Sequence, residues 1–161
     1  MTPTRTETLR IRRYEPGDRG AVRNLHDEAL HDVGAHLGDG PWDADLDAVE
    51  DVYLENGGEF LVGVLDDRVV AMGALRRTSE GRAQVTRMRV APGLQGRGIG
   101  QGMLNALHRR AAQLGYGTLC LDTTVQQVAA RRLYEKNGYR EVGRGEVGPF
   151  RCVYYERGGG G

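Results

Sequence analysis

Between Val90 and Gln101 the chain reads VAPGLQGRGIGQ, a β-rich stretch broken at Pro92 that runs through glycines 93, 96, 98 and 100 into a helix. Ile99, Met103, Leu104, Leu107, Ala111 and Leu114 recur at helical spacing, and Gly115 is placed to end them. The glycines therefore sit at a helix N-terminus. The first-turn N–H groups there have no intrahelical partner, and the macrodipole adds roughly half a positive charge. Such an end takes anions. Without Cβ atoms at Gly96, Gly98 and Gly100 the backbone can reach positive φ and approach a phosphate closely, and Arg97 adds a mobile positive charge.

Two phosphate loops fail on spacing. The dinucleotide fingerprint G-x-G-x-x-G, counted from Gly96, meets Gln101 at its third glycine, and counted from Gly98 it meets Met103. A Walker loop needs Gly-Lys-Ser/Thr, and the only lysine is Lys136, after Glu135. What fits is Q-x-x-G-x-G at Gln95 to Gly100, after a strand ending in Met88-Arg89-Val90. A ligand-free turn between strand and helix would share these features, so a second segment matters. It is ARRLYEKNGY, Ala130 to Tyr139, which matches A-x-x-L-Y-E-K-x-G-F/Y. The two segments at this separation resemble the GNAT acetyltransferase superfamily.

The rest of the chain reads consistently with that. Leu9 to Tyr14 is a strand with one apolar face, and Pro16-Gly17-Asp18 turns it into a helix N-capped by Asp18 and carrying Ala21, Val22, Leu25, Ala29 and Leu30. Gly34 to Asp43 is a loop, and Ala44 to Asn56 a second helix with a carboxylate-rich outer face. Glu59 to Leu65, Val69 to Arg77 and Arg82 to Val90 are strands, the first two joined across Asp66-Asp67. After the glycine loop and its helix come a strand at Thr118 to Asp122 and a helix at Gln126 to Asn137. A hairpin of Tyr139 to Arg144 with Phe150 to Arg157 completes the order. The order β-α-α-β-β-β-α-β-α-β-β predicts an α/β fold with a mixed sheet. It is also the GNAT order, which implies a mostly antiparallel sheet with one parallel, splayed strand pair. Residues 1–157 read as one domain and 158–161 as an unstructured tail.

No apolar run nears the ~20 residues of a bilayer span and no charged-then-apolar leader opens the chain, so a soluble cytoplasmic protein is expected. Cys120 and Cys152 lie in strands with no Cys/His ligand spacing, so free thiols and no metal are expected. Net charge is zero but polarised. Asn24 to Asp67 holds thirteen acidic residues, three of the four histidines and no Lys or Arg, while Arg68 to Gly161 holds sixteen basic against six acidic. A basic half suits a polyanionic cofactor, and carboxylates concentrate cations.

The resemblance implies acetyl-CoA as acyl donor and a small-molecule amine acceptor, with no nucleic acid or membrane partner; a homodimer stays open. Residues Gln95, Gly96, Arg97, Gly98, Ile99, Gly100 and Gln101 would hold the pyrophosphate, and the strand edge at Met88, Arg89 and Val90 the pantetheine amides. Ala130 and Gln127 would line the cofactor, Gln127 standing where relatives often carry Asn. Tyr134 would serve the leaving thiolate, although its spacing also suits a core aromatic. The strand glutamate that many relatives use as base is replaced by Gln84, so a water chain to a carboxylate, to His31 or to His36 would have to serve. Trp42 either walls the acceptor pocket or anchors its loop. The expected activity is direct acetyl transfer in a ternary complex to a cationic amine. An acyl-CoA-binding regulatory domain and transfer of another acyl group are the alternatives.

Overall fold

The computed structural model describes residues 8–32 and 41–158. Strand β1 (Arg10–Arg13) leads through a turn at Pro16–Asp18 into helix α1 (Arg19–Asp32). Strands β2 (Glu59–Leu65), β3 (Arg68–Ser79) and β4 (Arg82–Val90) follow as a meander, and helix α2 (Ile99–Leu114) carries the chain to β5 (Thr118–Thr124). Helix α3 (Val128–Lys136) precedes the hairpin of β6 (Arg140–Val147) and β7 (Phe150–Gly158). One sheet results, in the order β1-β2-β3-β4-β5-β7-β6, with β4 and β5 as its parallel pair. Asp66 and Asp67 take φ of 50° and 59°, the double left-handed conformation of the two-residue hairpin turn.

Three boundaries differ from the sequence reading. Asp18 caps the turn and not the helix directly: its carboxylate accepts the Glu15 N–H at 2.8 Å and the fork of Arg12 at 2.7 and 2.9 Å. The single helix expected over Ala44 to Asn56 is two pieces, tight turns at Pro41–Asp47 and a wide turn at Glu50–Leu54 closed by Glu55 N–H to Glu50 O at 2.8 Å. Tertiary ion pairs override the helical stripe, because Asp43 and Asp45 are drawn inward while Leu46, Val49 and Tyr53 bury against β2 and β3. Gly158, expected to open the tail, ends β7 in register with Thr118; its φ of 81° favours glycine there.

The sheet is covered on both faces. Val22 and Leu25 of α1 join Tyr53, Phe60, Val62 and Met72 in one core, and Leu104, Leu107 and Ala111 of α2 join Leu75, Val85, Leu121, Tyr139 and Tyr155 in the other. Between these layers the sheet opens. β4 and β5 pair only at Arg82–Thr118, Ala83–Leu119 and Gln84–Cys120, yet β4 stays paired to β3 up to Val90, and β5 to β7 up to Thr124. Beyond Gln84 the two parallel strands therefore separate.

A bulge in β4 shapes the gap. Met72 faces Arg89 and Ala74 faces Thr86, so Gly73 stands opposite both Arg87 and Met88. Arg87 takes φ of 57°, and a Cβ at Gly73 would lie 2.7 Å from Met88 Sδ. A bulge of this kind re-aims side chains beside a site.

Candidate active site

The reversed backbone at Arg87 sends its guanidinium into two aspartates. Nε and Nη2 donate to Asp45 at 2.9 and 2.5 Å, and Nη1 donates to Asp43 at 3.2 Å. Burial opposes the Arg87 charge, but Asp45 outweighs it and holds the guanidinium protonated. The Tyr53 hydroxyl donates to Asp45 at 2.5 Å. Asp43 also receives His26 Nε2 at 3.0 Å, while His26 Nδ1 lies 3.4 Å from Arg89 Nε. Because Arg89 can only donate, His26 accepts at Nδ1 and carries its proton on Nε2. His26, Asp27 and Asp43 lie close enough together to suggest a cation site, but guanidiniums already face Asp43 and His26.

His26 is fully buried, and burial with the nearby Arg89 charge pushes its pKa down to about 3. The unfolded chain binds that proton near pH 6.5 and the folded chain does not, so stability is full above about 6.5 and declines as pH falls toward 3. The loss cannot exceed about 1.4 kcal/mol per pH unit for one proton. His108, beside the Tyr139 hydroxyl at 2.8 Å, is pushed down to about 4 by burial and acts with the same sign. Urea midpoints are expected to drop between pH 7 and pH 5, by about 1–2 kcal/mol of unfolding free energy from His26. A flatter curve in His26→Gln checks the assignment.

Two cavities meet where β4 and β5 part. The larger, of about 640 Å³, runs along the glycine loop and α3; the smaller, of about 340 Å³, lies among α1, the turns at Pro41–Leu54, β3 to β5 and the β6–β7 hairpin. Met88, Arg89, Gln127 and Tyr134 line both.

The residues singled out from sequence converge on the larger cavity. Val90, Gln95, Gly96, Gly98, Ile99, Gly100, Gln101 and Ala130 line it, whereas Arg97 is exposed on the loop outside the lining. Gly96 and Gly98 take φ of 80° and 79°, and Gly98 is the N-cap of α2. Gly100 does not have positive φ; a Cβ there would stand 3.3 Å from Leu133 Cδ2, so it is needed for the approach of α3. Gln101 and Asn137 exchange amide hydrogen bonds at 2.8 Å each way, tying α2 to α3. Gln127 spends its carbonyl on Thr123 and Thr124 at 2.8 to 3.2 Å, and its amide N–H groups donate to no described residue. Tyr134 is 5% exposed, edge-on to Tyr139 at 5.6 Å, with no hydrogen bond from its hydroxyl to any described residue. Burial pushes it up to about 12, so the hydroxyl is intact at neutral pH.

The acidic stretch is placed differently from expectation. Asp45 is its one carboxylate on the smaller cavity's lining among the described residues, and Arg87 and Tyr53 occupy it. Glu59 is buried between Arg13 and Arg110, and Asp51, Glu55, Asp66 and Asp67 are exposed outside that lining. The cavity's cations are Arg76, Arg87 and Arg89. Burial and the charge of Arg87 push Arg89 down to about 10, and its hydrogen bonds go to His26 and the Met88 carbonyl, neither of them anionic. His31 is exposed and outside both linings, while His36 and the Trp42 side chain lie outside the described residues. Sequence reasoning missed the His26–Asp43–Arg87–Asp45 network. It also missed Asp122, which lines the smaller cavity; β-strand alternation through Cys120 and Thr124 was the available signal.

The Acetyltransferase (GNAT) family profile matches residues 21–139. The chain is 34% identical over 101 residues to the N-acetylaspartate synthetase of Homo sapiens, covering 62% of this chain and 33% of that one. It is 36% identical over 92 residues to the IAA acetyltransferase of Azospirillum brasilense, covering 56% and 59%. It thus spans about a third of the synthetase's length. A GNAT-family acetyltransferase structure from Staphylococcus aureus Mu50 superposes with a TM-score of 0.86 at 19% identity, over 94% of this chain and 99% of that one. The PaiA N-acetyltransferase of Thermoplasma acidophilum, in complex with coenzyme A, gives 0.74 at 16%, over 94% and 99%.

Proposed function

The chain belongs to the GNAT acetyltransferase family, and we propose that it moves an acetyl group from acetyl-CoA to a primary amine by direct transfer in a ternary complex. The observation that carries this is the meeting of two cavities at Tyr134, one along a helix N-terminus and one on the α1 side of the sheet. Donor and acceptor can then enter from different sides and touch only where β4 and β5 have parted.

The larger cavity suits the donor. N–H groups of Gln95 to Gly100 face a pyrophosphate, and the edge of β4 at Met88 to Val90 offers amide pairing to pantetheine. The free amide of Gln127 replaces the usual Asn, and the small Ala130 leaves room for the arm. The Tyr134 hydroxyl donates to the departing sulfur.

The acceptor reading changes with the geometry. A cationic acceptor rests on carboxylates whose described members lie in ion pairs or away from the cavity, while Arg89 sits at the seam of both cavities without an anionic hydrogen-bond partner among the described residues. This supports an amine that also carries a carboxylate. The N-acetylaspartate synthetases point the same way, since aspartate is such an amine. Thiol release should favour amino acids over the amines made by removing their carboxylate. Arg89→Met should raise KM for the amino acid roughly tenfold or more and leave the decarboxylated amine unaffected. Preference for the decarboxylated member would overturn this reading, and acetyl-CoA binding without turnover on any amine would overturn the enzymatic one.

A further inference from the structure

We propose that Asp122 is the general base that prepares the acceptor amine, and that Gln84 is its positioning residue; this rests on the acetyl-transfer reading above. On β5, Leu119, Leu121 and Thr123 are buried, so Cys120, Asp122 and Thr124 face the opposite side. On β4, Ala83 and Val85 are buried in the α2-side core, and Gln84 between them shares the face of Asp122. Gln84 and Cys120 form the last parallel pair, and Asp122 stands two residues further on, where β4 has moved away. There it lines the smaller cavity with Tyr134.

Gln84 Nε2 lies 2.8 Å from Asp122 Oδ1. A carboxylate only accepts, so the Gln84 amide must donate, which fixes the carboxylate plane while leaving Oδ2 with no partner among the described residues. The other carboxylates nearby are committed. Asp45 is held by Arg87 and Tyr53, Asp43 is buried between Arg87 and His26, and buried His26 accepts from Arg89. The charged and titratable groups that share this lining with Asp122 are Asp45 and Tyr53 of the turns before β2, Arg76 of β3, Arg87 and Arg89 of β4, Tyr134 of α3 and Cys152 of β7, and Cys120 adjoins it on β5. Among the described residues, Asp122 is the one carboxylate on this lining not tied to a guanidinium. The amide at Gln84 thus holds the base from the neighbouring strand.

The proton ledger closes. The acceptor ammonium gives a proton to Asp122, directly or through one water, and Asp122 passes it to solvent. The nitrogen lone pair forms the C–N bond, and the C–S bond breaks with its electrons on sulfur. The second proton lost from nitrogen reaches that sulfur through the Tyr134 hydroxyl. The products are the amide, the thiol and one proton.

The test is kcat/KM against pH for the whole chain, with whichever amino acid or decarboxylated amine gives the fastest thiol release. Asp122→Asn is isosteric at an exposed position and should leave acetyl-CoA affinity intact by calorimetry. At neutral pH its kcat/KM should fall roughly a hundredfold. Wild type should be level between about pH 6 and 8, whereas the variant should climb roughly tenfold per pH unit as free amine becomes available. The exchange Gln84→Glu with Asp122→Asn restores a carboxylate–amide pair with the partners reversed, and should recover at least about tenfold. A loss under about threefold, a loss equal at every pH, or an exchange no better than the single variant overturns the assignment. Wild type that binds acetyl-CoA yet acetylates no amine removes the transfer reading and this base with it.

Discussion

Replacing Tyr134 by Phe is expected to lower kcat roughly 100-fold, with acetyl-CoA affinity and folding stability nearly unchanged. The ring is what the fold uses, since it lies edge-on to Tyr139 at 5.6 Å and packs in the core between α2 and α3. Its hydroxyl bonds no described residue, so removing it leaves no buried partner unsatisfied. At about 12, the phenol stands well above a thiol near pKa 8.5, so full transfer to the thiolate is uphill. Its contribution is then mainly a hydrogen bond to charge developing on sulfur in a site screened from water, followed by relay of the amine's proton. Arg89, whose charge acts against the upward shift at Tyr134, favours any phenolate character in that step. Single-turnover kinetics on an acceptor with slow chemistry checks this. An unchanged rate would leave Tyr134 as core packing and require another donor to sulfur.

The lining of the cavity proposed for the donor was legible in sequence because local backbone carries its geometry. A glycine-rich turn at a helix start and an L-Y-E-K-x-G run each encode their geometry within ten residues, and both line one cavity. The cavity proposed for the acceptor was not, because long-range pairing builds it. Asp43 reads as the end of a loop and Asp45 as the start of a solvated helix, and nothing near them signals that Arg87, on a bulge more than forty residues away, draws them inward. The bulge has no signature beyond Gly73 on the neighbouring strand. In sequence Gln84 marks only an absent glutamate, and its partner emerges when β5 brings Asp122 within 2.8 Å. Polarity of a segment therefore misled where charges were neutralised in space.

Gly98→Asp is expected to weaken acetyl-CoA at least tenfold, roughly 1.4 kcal/mol, and nearer a hundredfold if repulsion acts in full. Gly98 is the N-cap of α2 at φ 79°, ψ 6°, the left-handed conformation that glycine adopts without strain. Nothing lies within 4 Å of a Cβ built there, so the fold has room for the new side chain. Aspartate tolerates left-handed φ better than most residues and caps helices, so the strain should cost about 1 kcal/mol or less and lower Tm by a few degrees with the backbone in place. The cost then falls on the ligand. A carboxylate about 5 Å from a pyrophosphate charge in a medium of effective dielectric near 20 repels by about 3 kcal/mol before salt screening, and it competes for the same helix N–H groups. Gly98→Ala separates these effects, since it shares the φ strain without the charge. Calorimetry should place Ala between wild type and Asp, with the Asp deficit shrinking as salt rises. A folded Gly98→Asp protein that binds acetyl-CoA as wild type does would move the pyrophosphate away from this helix terminus.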